Sequence, residues 1–288
     1  MRVGLDSREG VADFGEESLI RMSECHPSRS AVLPISVSMI ARNEAHNLPR
    51  SLGSVFGWVA EIVVVVNDCT DDTVAVAKRF GARVMEHAWE GYRDQKVFAL
   101  AQVTQPWVLV LDADEEVSAD MAEAIRNFVS HPPASVVGAA FRRRVWFLGR
   151  WITHGDWYPD WSLRLFQRGK GRWTGSPEHD KIELDGDFRK LRVDLHHYSF
   201  PSINAYTLKI PVFADYFLRR QIAAGKRWSF SRAISRAVWR FLRAYFLRLG
   251  FLDGFPGFYI AVATAFSTLT RYSQLFEHEA KQRLSNAP

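Results

Sequence analysis

The sequence is short of the features that mark several common protein classes. It has 2 cysteines in 288 residues, Cys25 and Cys69. They stand far apart and in no metal-type spacing, so nothing points to a disulfide framework, and a reducing compartment fits. The opening segment has no apolar run; it carries Asp6, Glu9, Asp13, Glu16 and Glu17 instead. That is not the pattern of a signal peptide, and residues 1–33 read as a flexible leader. No G-x-G-x-x-G follows a predicted strand and no G-x-x-x-x-G-K-[ST] occurs anywhere. This disfavours a dinucleotide oxidoreductase and a P-loop NTPase. There is no internal repeat and no low-complexity tract. Between Tyr216 and Leu252 there is not one Asp or Glu.

What is present is enough for a sizeable core. Hydrophobic residues make up 47% of the chain, and at roughly 100–200 residues per domain the length allows one large domain with an appendage. The net charge of +5 favours anionic partners. From Pro34 to Ser130 short β-branched runs alternate with helical periodicity. Ile35–Ile40, Ile62–Val66, Arg83–Met85 and Trp107–Leu111 read as strands. Segments around 48–56, 71–80, 93–103 and 118–130 read as helices, with Asn47 as the cap of the first and Gly81 as the stop of the second. Such alternation predicts βαβ units and a doubly wound, mostly parallel sheet. From Phe141 to Phe200 the texture changes to a stretch dense in Trp, Arg, His and Gly, which reads as irregular segments holding an acceptor site.

In open α/β sheets the ligand lies outside the carboxyl ends of the strands. The polar residues there are Asn43 and Glu44, Asn67 and Asp68, then Asp112, Asp114, Glu115 and Glu116. Asp112-Ala113-Asp114 is the informative group. Two carboxylates so close repel unless a cation is present. Mg²⁺ or Mn²⁺, hard ions that take oxygen ligands, relieves that repulsion and can bridge a diphosphate.

Six segments in order then carry a resemblance: ISVSMIARNEAHNL (35–48), EIVVVVNDCTDDT (61–73), HAWEGYRDQK (87–96), WVLVLDADEEVS (107–118), FLGRWITHGDWYPDWSLRLF (147–166) and LHHYSF (195–200). Together they resemble the inverting family 2 glycosyltransferases of GT-A fold. Within that family they are similar to the subgroup that adds glucose to the lipopolysaccharide inner core. The resemblance implies a catalytic domain over 34–210. It implies a nucleotide-diphospho-sugar donor, with UDP-glucose first, and a lipopolysaccharide-core or other lipid-linked acceptor. Asp112 would contact the donor ribose and Asp114 would bind the metal, with His197 as a further metal or phosphate contact. Glu44, Lys96 and Arg164 would face the donor. Val66 stands where the family places a base-reading Asp, leaving Asn67 or Asp68 for that contact, and Val97 stands where the subgroup has Asn. For the general base that an inverting transfer needs, alignment on Asp185-Gly186 makes Asp180 the first choice and Glu178 the second.

The region 211–288 reads as a helical, basic, aromatic appendage. Arg232, Arg236, Arg240 and Arg243 fall on one helical stripe, with Ile234, Val238, Phe241, Leu242, Tyr245 and Leu249 on the opposite arc. Such a helix suits an anionic membrane surface, which puts the protein in the cytoplasm, peripheral at the inner face of a bacterial inner membrane. Nucleic acid is disfavoured because the binding motifs are missing. Gly254–Thr270 is uncharged but, at 17 residues, falls short of the roughly 20 of a spanning helix; it reads as a membrane-contacting or core helix. The competing expectations are transfer onto a polyprenyl phosphate and, from another class, a non-catalytic sugar-nucleotide or lipid-binding protein.

Overall fold

Residues 32–176 and 179–285 are described in the computed structural model. The first half follows the alternation. In chain order it runs β1 (Leu33–Ala41), α1 (Leu48–Gly53), β2 (Val59–Val66), α2 (Thr73–Arg79), β3 (Arg83–Glu86), α3 (Tyr92–Ala101), β4 (Trp107–Val110), β5 (Glu115–Val117) and α4 (Ala119–Ser130). In β2 and β4 the runs Ile62–Val66 and Trp107–Val110 are continuously apolar because both faces are covered. Val64 and Leu109 enter one core cluster with Ile35, Val37 and Met39 of β1, and Val63, Val65, Val108 and Val110 another, while β1 alternates with the buried Ser36 and Ser38. Strands buried on two faces lose the period-two pattern. Ser118 caps α4 by accepting from the Met121 N–H at 3.2 Å. Asn47 does not cap α1. Its own backbone is already helical, so the side chain does not reach the first-turn N–H groups; it donates to the Glu44 carboxylate at 2.7 Å instead.

The stretch expected to be irregular is mostly strand: β6 (Val136–Phe147), β7 (Arg150–Trp151), β8 (Asp160–Gln167), β9 (Gly171–Ser176), β10 (His179–Leu184) and β11 (Asp187–His197). The alternation is hidden because ionisable residues pair across strands. Arg143 on β6 holds Asp160 on β8, and Arg142 on β6 holds Asp194 on β11, both at 2.9 Å. The large sheet has the order β3-β2-β1-β4-β8-β6-β11-β5, with β7 on β6, and β9-β10 form a separate pair. β3-β2-β1-β4 is parallel, as expected. β8 enters antiparallel to both its neighbours, so the whole sheet is mixed.

The remainder is helical: α5 (Ile203–Thr207), α6 (Lys209–Ala223), α7 (Phe230–Leu242), a π turn at Arg243–Leu247, a 3-10 turn at Gly250–Asp253, and α8 (Gly254–Ser285). Gly254–Thr270 is thus the first half of α8, and α6 and α7 both pack on that helix. Ile260 carries α8 onto Val145, Phe147 and Ile152 at the end of the sheet. The turn depends on Gly257, where a Cβ would overlap the Gly250 carbonyl oxygen. α7 turns its faces to different surroundings. Its inner seam is made of Ala233 and, in the following turn, Ala244, small enough for close helix approach, while Ile234, Val238 and Leu242 are exposed. Arg240 and Arg243 point inward to the buried Asp156 carboxylate, at 2.7 and 2.6 Å. Only Arg232 and Arg236 of the expected stripe stay in solvent.

Candidate active site

The carboxyl ends of β1, β2 and β4 open onto a cleft of about 820 Å³. Asn43 and Asp68, just beyond β1 and β2, adopt left-handed backbone at φ 56° and 42°, which Asn and Asp tolerate better than most residues. They turn the chain sharply away from the sheet. The Thr70–Thr73 segment fixes the first turn. Asn43 Oδ1 accepts from the Thr70 N–H at 2.8 Å, the Glu44 N–H donates to Thr73 Oγ1 at 2.7 Å, and the Ala45 N–H donates to Asp71 at 3.1 Å. Glu44 is thereby presented to the cleft. Burial pushes its carboxyl up against the pull of Asn47, and the Asp114 charge adds to the rise. Asn67 lines the cleft, buried, with an unpartnered Nδ2. Asp68 is exposed and does not line it.

At the end of β4, Asp112 accepts from Arg164 at 2.7 Å and lies 3.2 Å from Lys96 Nζ. Lys96 also reaches Asp180 at 2.9 Å, so it bridges the two acids. Burial alone would raise the Asp112 carboxyl, but Arg164 and Lys96 outweigh it and hold the group far below the usual range. Arg164 itself does not reach the cleft. Buried between β4 and β6, it joins Asp112 to the fully buried Glu115, whose other oxygen accepts from the Asp112 N–H at 3.0 Å. Burial raises the Glu115 carboxyl, with Arg164 opposing.

Asp114 faces His197, with Oδ2 and Nε2 at 3.3 Å. Strand pairing brings them together. β11 runs antiparallel to β5 with His197 opposite Glu115, and the Tyr198 N–H then donates to the Asp114 carbonyl at 2.9 Å. Burial would raise Asp114, but the hydrogen bond and charge of His197 together outweigh it, and the carboxyl sits below its ordinary value. Tyr198 is tied away from the cleft by donating to Glu116 at 2.8 Å under the Arg50 guanidinium. Among the described residues no cluster of three or more His, Cys, Asp or Glu could enclose an ion. An oxygen and a nitrogen ligand side by side on a cleft wall suit a cation that takes its other ligands from phosphate and water, as Mg²⁺ does.

Glu178 lies outside the described residues. Asp180 sits on β10 behind Lys96 rather than on the cleft surface. The cleft is also lined by residues that the sequence reading did not single out for chemistry: Arg42, Trp89, Tyr92, Arg143, Asp156, Trp157, Asp160, Phe200 and Lys209. Asp160, held by Arg143 at 2.6 Å, is a second carboxylate candidate for acid–base work. The HGDWYPD run carried both Asp156 and Asp160. Strand periodicity could have placed Asp160, but nothing local marks Asp156 as the partner of arginines more than 80 residues away.

The description "Glycosyl transferase family 2" belongs to a family model that matches residues 36–184. An uncharacterised glycosyltransferase of Rickettsia typhi is 30% identical over 259 residues, 86% of this chain and 89% of the relative. The lipopolysaccharide core biosynthesis glycosyltransferase LpsC of Rhizobium meliloti is 30% identical over 261 residues, 88% of this chain and 96% of the relative. Among solved structures, glucosyl-3-phosphoglycerate synthase of Mycobacterium tuberculosis, in complex with Mn²⁺, UDP and its product, aligns at 22% identity with a TM-score of 0.33. That match spans 38% of this chain and 44% of the other, less than half of either.

Proposed function

Because the chain belongs to glycosyl transferase family 2, we propose that it is an inverting, metal-dependent hexosyltransferase. On this reading it carries glucose from UDP-glucose to a lipopolysaccharide-core or other lipid-linked acceptor, from the cytoplasm at the inner face of the membrane. The observation that carries the reading is the pairing of Asp114 with His197 beside the Lys96–Asp112 pair in one cleft at the strand ends. The name of the LpsC relative supports the acceptor class.

In this reading Glu44 and Asn67 border the nucleotide, and Asp112 orients its ribose. Asp114 and His197 would hold Mg²⁺ or Mn²⁺, which when bound offsets the charge on the departing diphosphate. Lys96 has anionic partners on both sides, and a diphosphate in the cleft would give it a third and loosen its hold on Asp180. Asp180 then takes the proton of the acceptor hydroxyl as that oxygen attacks the anomeric carbon and the bond to the diphosphate breaks. Asp160 is the second reading for the base, because its carboxylate already lines the cleft.

The test is a turnover panel of UDP-, GDP- and CMP-sugars against lipopolysaccharide-core and polyprenyl-phosphate acceptors, with and without chelator. Chelation should abolish transfer, and Asp114→Ala should not recover it in excess Mn²⁺ or Mg²⁺. Full turnover without metal would overturn the metal assignment. Donor binding with no turnover on any acceptor would favour a non-catalytic binder. Asp180→Asn should lower kcat by about 10²–10⁴-fold, the usual worth of a general base, with donor affinity near normal. If Asp160→Asn or Glu178→Gln does so instead, the base moves to that residue.

A further inference from the structure

The C-terminal helices present an apolar surface that no described residue covers. The helical stretches 230–247 and 250–285 meet at a bend of 71°. At that bend Phe246, Leu247, Phe251, Leu252, Phe255 and Phe258 are each 42–65% exposed. Isolated exposed apolar residues are ordinary, but a contiguous group of large ones marks an interaction surface. Here the group is continuous in sequence and in space: Tyr245 is in ring contact with Phe246, Phe251 and Phe258.

Two further observations say what covers it. The segment around it is a one-sign field. Arg219, Arg220, Lys226, Arg227, Arg232 and Arg236 are exposed, and 216–252 contains no acid to balance them. A second copy of the chain would bring the same unbalanced cations against themselves, and juxtaposed like charges are costly. An anionic lipid surface neutralises them. The bend is also clamped to the cleft wall. The Gly155 N–H donates to the Arg248 carbonyl at 2.9 Å, Arg243 grips Asp156 at 2.6 Å, and the Asp253 carboxylate accepts from the His154 N–H at 2.7 Å. Asp156 and Trp157 line the cleft. The apolar bend and the substrate cleft are therefore two sides of one wall.

We propose that the bend at 246–258 is the membrane-inserting element of this protein. Its aromatic and leucine side chains enter the headgroup–acyl boundary of an anionic bilayer, the flanking arginines sit among the headgroups, and the clamp holds the cleft at the height of a lipid-linked acceptor. No single helix among the described residues is long and apolar enough to cross a membrane. The bent pair has the length and composition of a broken span, but Ile260 and Ala263 of α8 are packed against the protein, and a surface that is apolar on one side only suits a pair lying in the interface. The inference rests on the lipid-linked acceptor proposed above. It places the deepest part of the membrane contact at the bend, beside the basic and apolar faces of α7.

The test is co-sedimentation with vesicles of phosphatidylcholine alone or mixed with phosphatidylglycerol, at low and high salt. Each full-length variant is first checked for an unchanged thermal melt. Leu247→Glu/Phe251→Glu should lower the partition onto both vesicle types by about tenfold or more, since two large apolar side chains are removed from lipid. Leu247→Ala/Phe251→Ala should do the same to a smaller degree and covers the case in which the charged pair fails to fold. Arg232→Glu/Arg236→Glu should remove only the increment due to the anionic lipid, the part that salt also removes. The proposal is overturned if bend variants that fold like the wild type sediment as it does. It is also overturned if the wild type binds neither vesicle, or if it runs as a dimer that the bend variants convert to a monomer. Transfer to acceptor dispersed in detergent should be unaffected in the bend variants. Its absence in the wild type would count against the acceptor reading while leaving the vesicle result to stand.

Discussion

Two acids, Asp112 and Asp156, line the same cleft, and each is held by arginine, yet they are held by different kinds of structure. The cations on Asp112 are Arg164 of β8, whose side chain is 5% exposed, and Lys96 of α3, which lines the cleft beside it. The cations on Asp156 are Arg240, Arg243 and Arg248 from the C-terminal helices, with side chains 32–44% exposed. The Arg164–Glu115 pair is closed inside the core and has no water to replace a lost member. The Asp156 carboxylate is buried too, at 1% exposed, but its arginines are partly exposed and can turn to solvent when the carboxylate charge is removed. The donor wall is therefore part of what makes the protein fold, whereas the opposite wall is a tether that can be loosened with the fold intact.

The sharpest way to break this comparison is to remove the central cation of each network. Arg164→Met leaves Asp112 with only Lys96 and strands Glu115 in the core. Breaking a buried pair by deleting one partner costs about 3–5 kcal/mol. A loss of that size in urea unfolding, or failure to accumulate as soluble protein, is the expected outcome. Arg164→Lys should recover little of it, since a point charge cannot bond Asp112 and Glu115 together as the guanidinium does. Asp156→Asn should cost less, about 1–2 kcal/mol, at the low end for bonds to charged groups because its partners are partly hydrated. Its donor affinity by calorimetry should match the wild type. If Asp156→Asn is the more destabilising of the two, the distinction between core network and tether is wrong.

The same division decides what could be read from the sequence. In the first half short β-branched or apolar strands alternate with helices that follow them closely, so β1 to β4 and the residues at their ends were legible. Asp112, Asp114, Glu44 and Asn67 line the cleft as their positions at strand ends implied, and Lys96 of α3 lines it too, a residue to which only the resemblance pointed. His197 reaches Asp114 only through the β11–β5 register, and the resemblance, not periodicity, pointed to it. The second half reads as irregular because arginines and aspartates that pair across strands, such as Arg142 with Asp194 and Arg143 with Asp160, interrupt its apolar positions. Which side of α7 packs on the protein was not legible for a related reason. Amphipathicity shows that a helix has two faces but not which one is buried. Here the buried Asp156 draws the arginine side in, and the alanine seam lets it approach. Long-range charge pairs of this kind leave no local trace.

The smallest effect belongs to the clamp at the base of the tether. Asp253 is fully buried, and its carboxylate accepts from the N–H groups of Thr153 and His154 and from Thr153 Oγ1, with Arg150 and the His154 ring as the other charged or titratable neighbours. Burial alone would raise this carboxyl, but these hydrogen bonds overcome it and hold the group below its ordinary value. The sign follows from that direction. An acid whose folded pKa is depressed stabilises the fold fully above its unfolded pKa, about 3.9 for Asp, and the contribution is lost as pH falls through the folded value. Asp253→Asn can keep an oxygen on the two backbone N–H groups and turn its NH₂ toward Thr153 Oγ1, so what it loses is mainly the charge, worth about 1 kcal/mol. Wild type and Asp253→Asn should thus differ by a nearly constant margin in urea midpoint from pH 8 to pH 5. The margin should close below about pH 4, where the wild-type carboxyl takes up its proton. A gap that persists unchanged or widens below pH 4 would mean that the clamp works by packing and not by the charge on Asp253, whereas a change between pH 8 and pH 5 would report the coupling of that charge to the His154 ring.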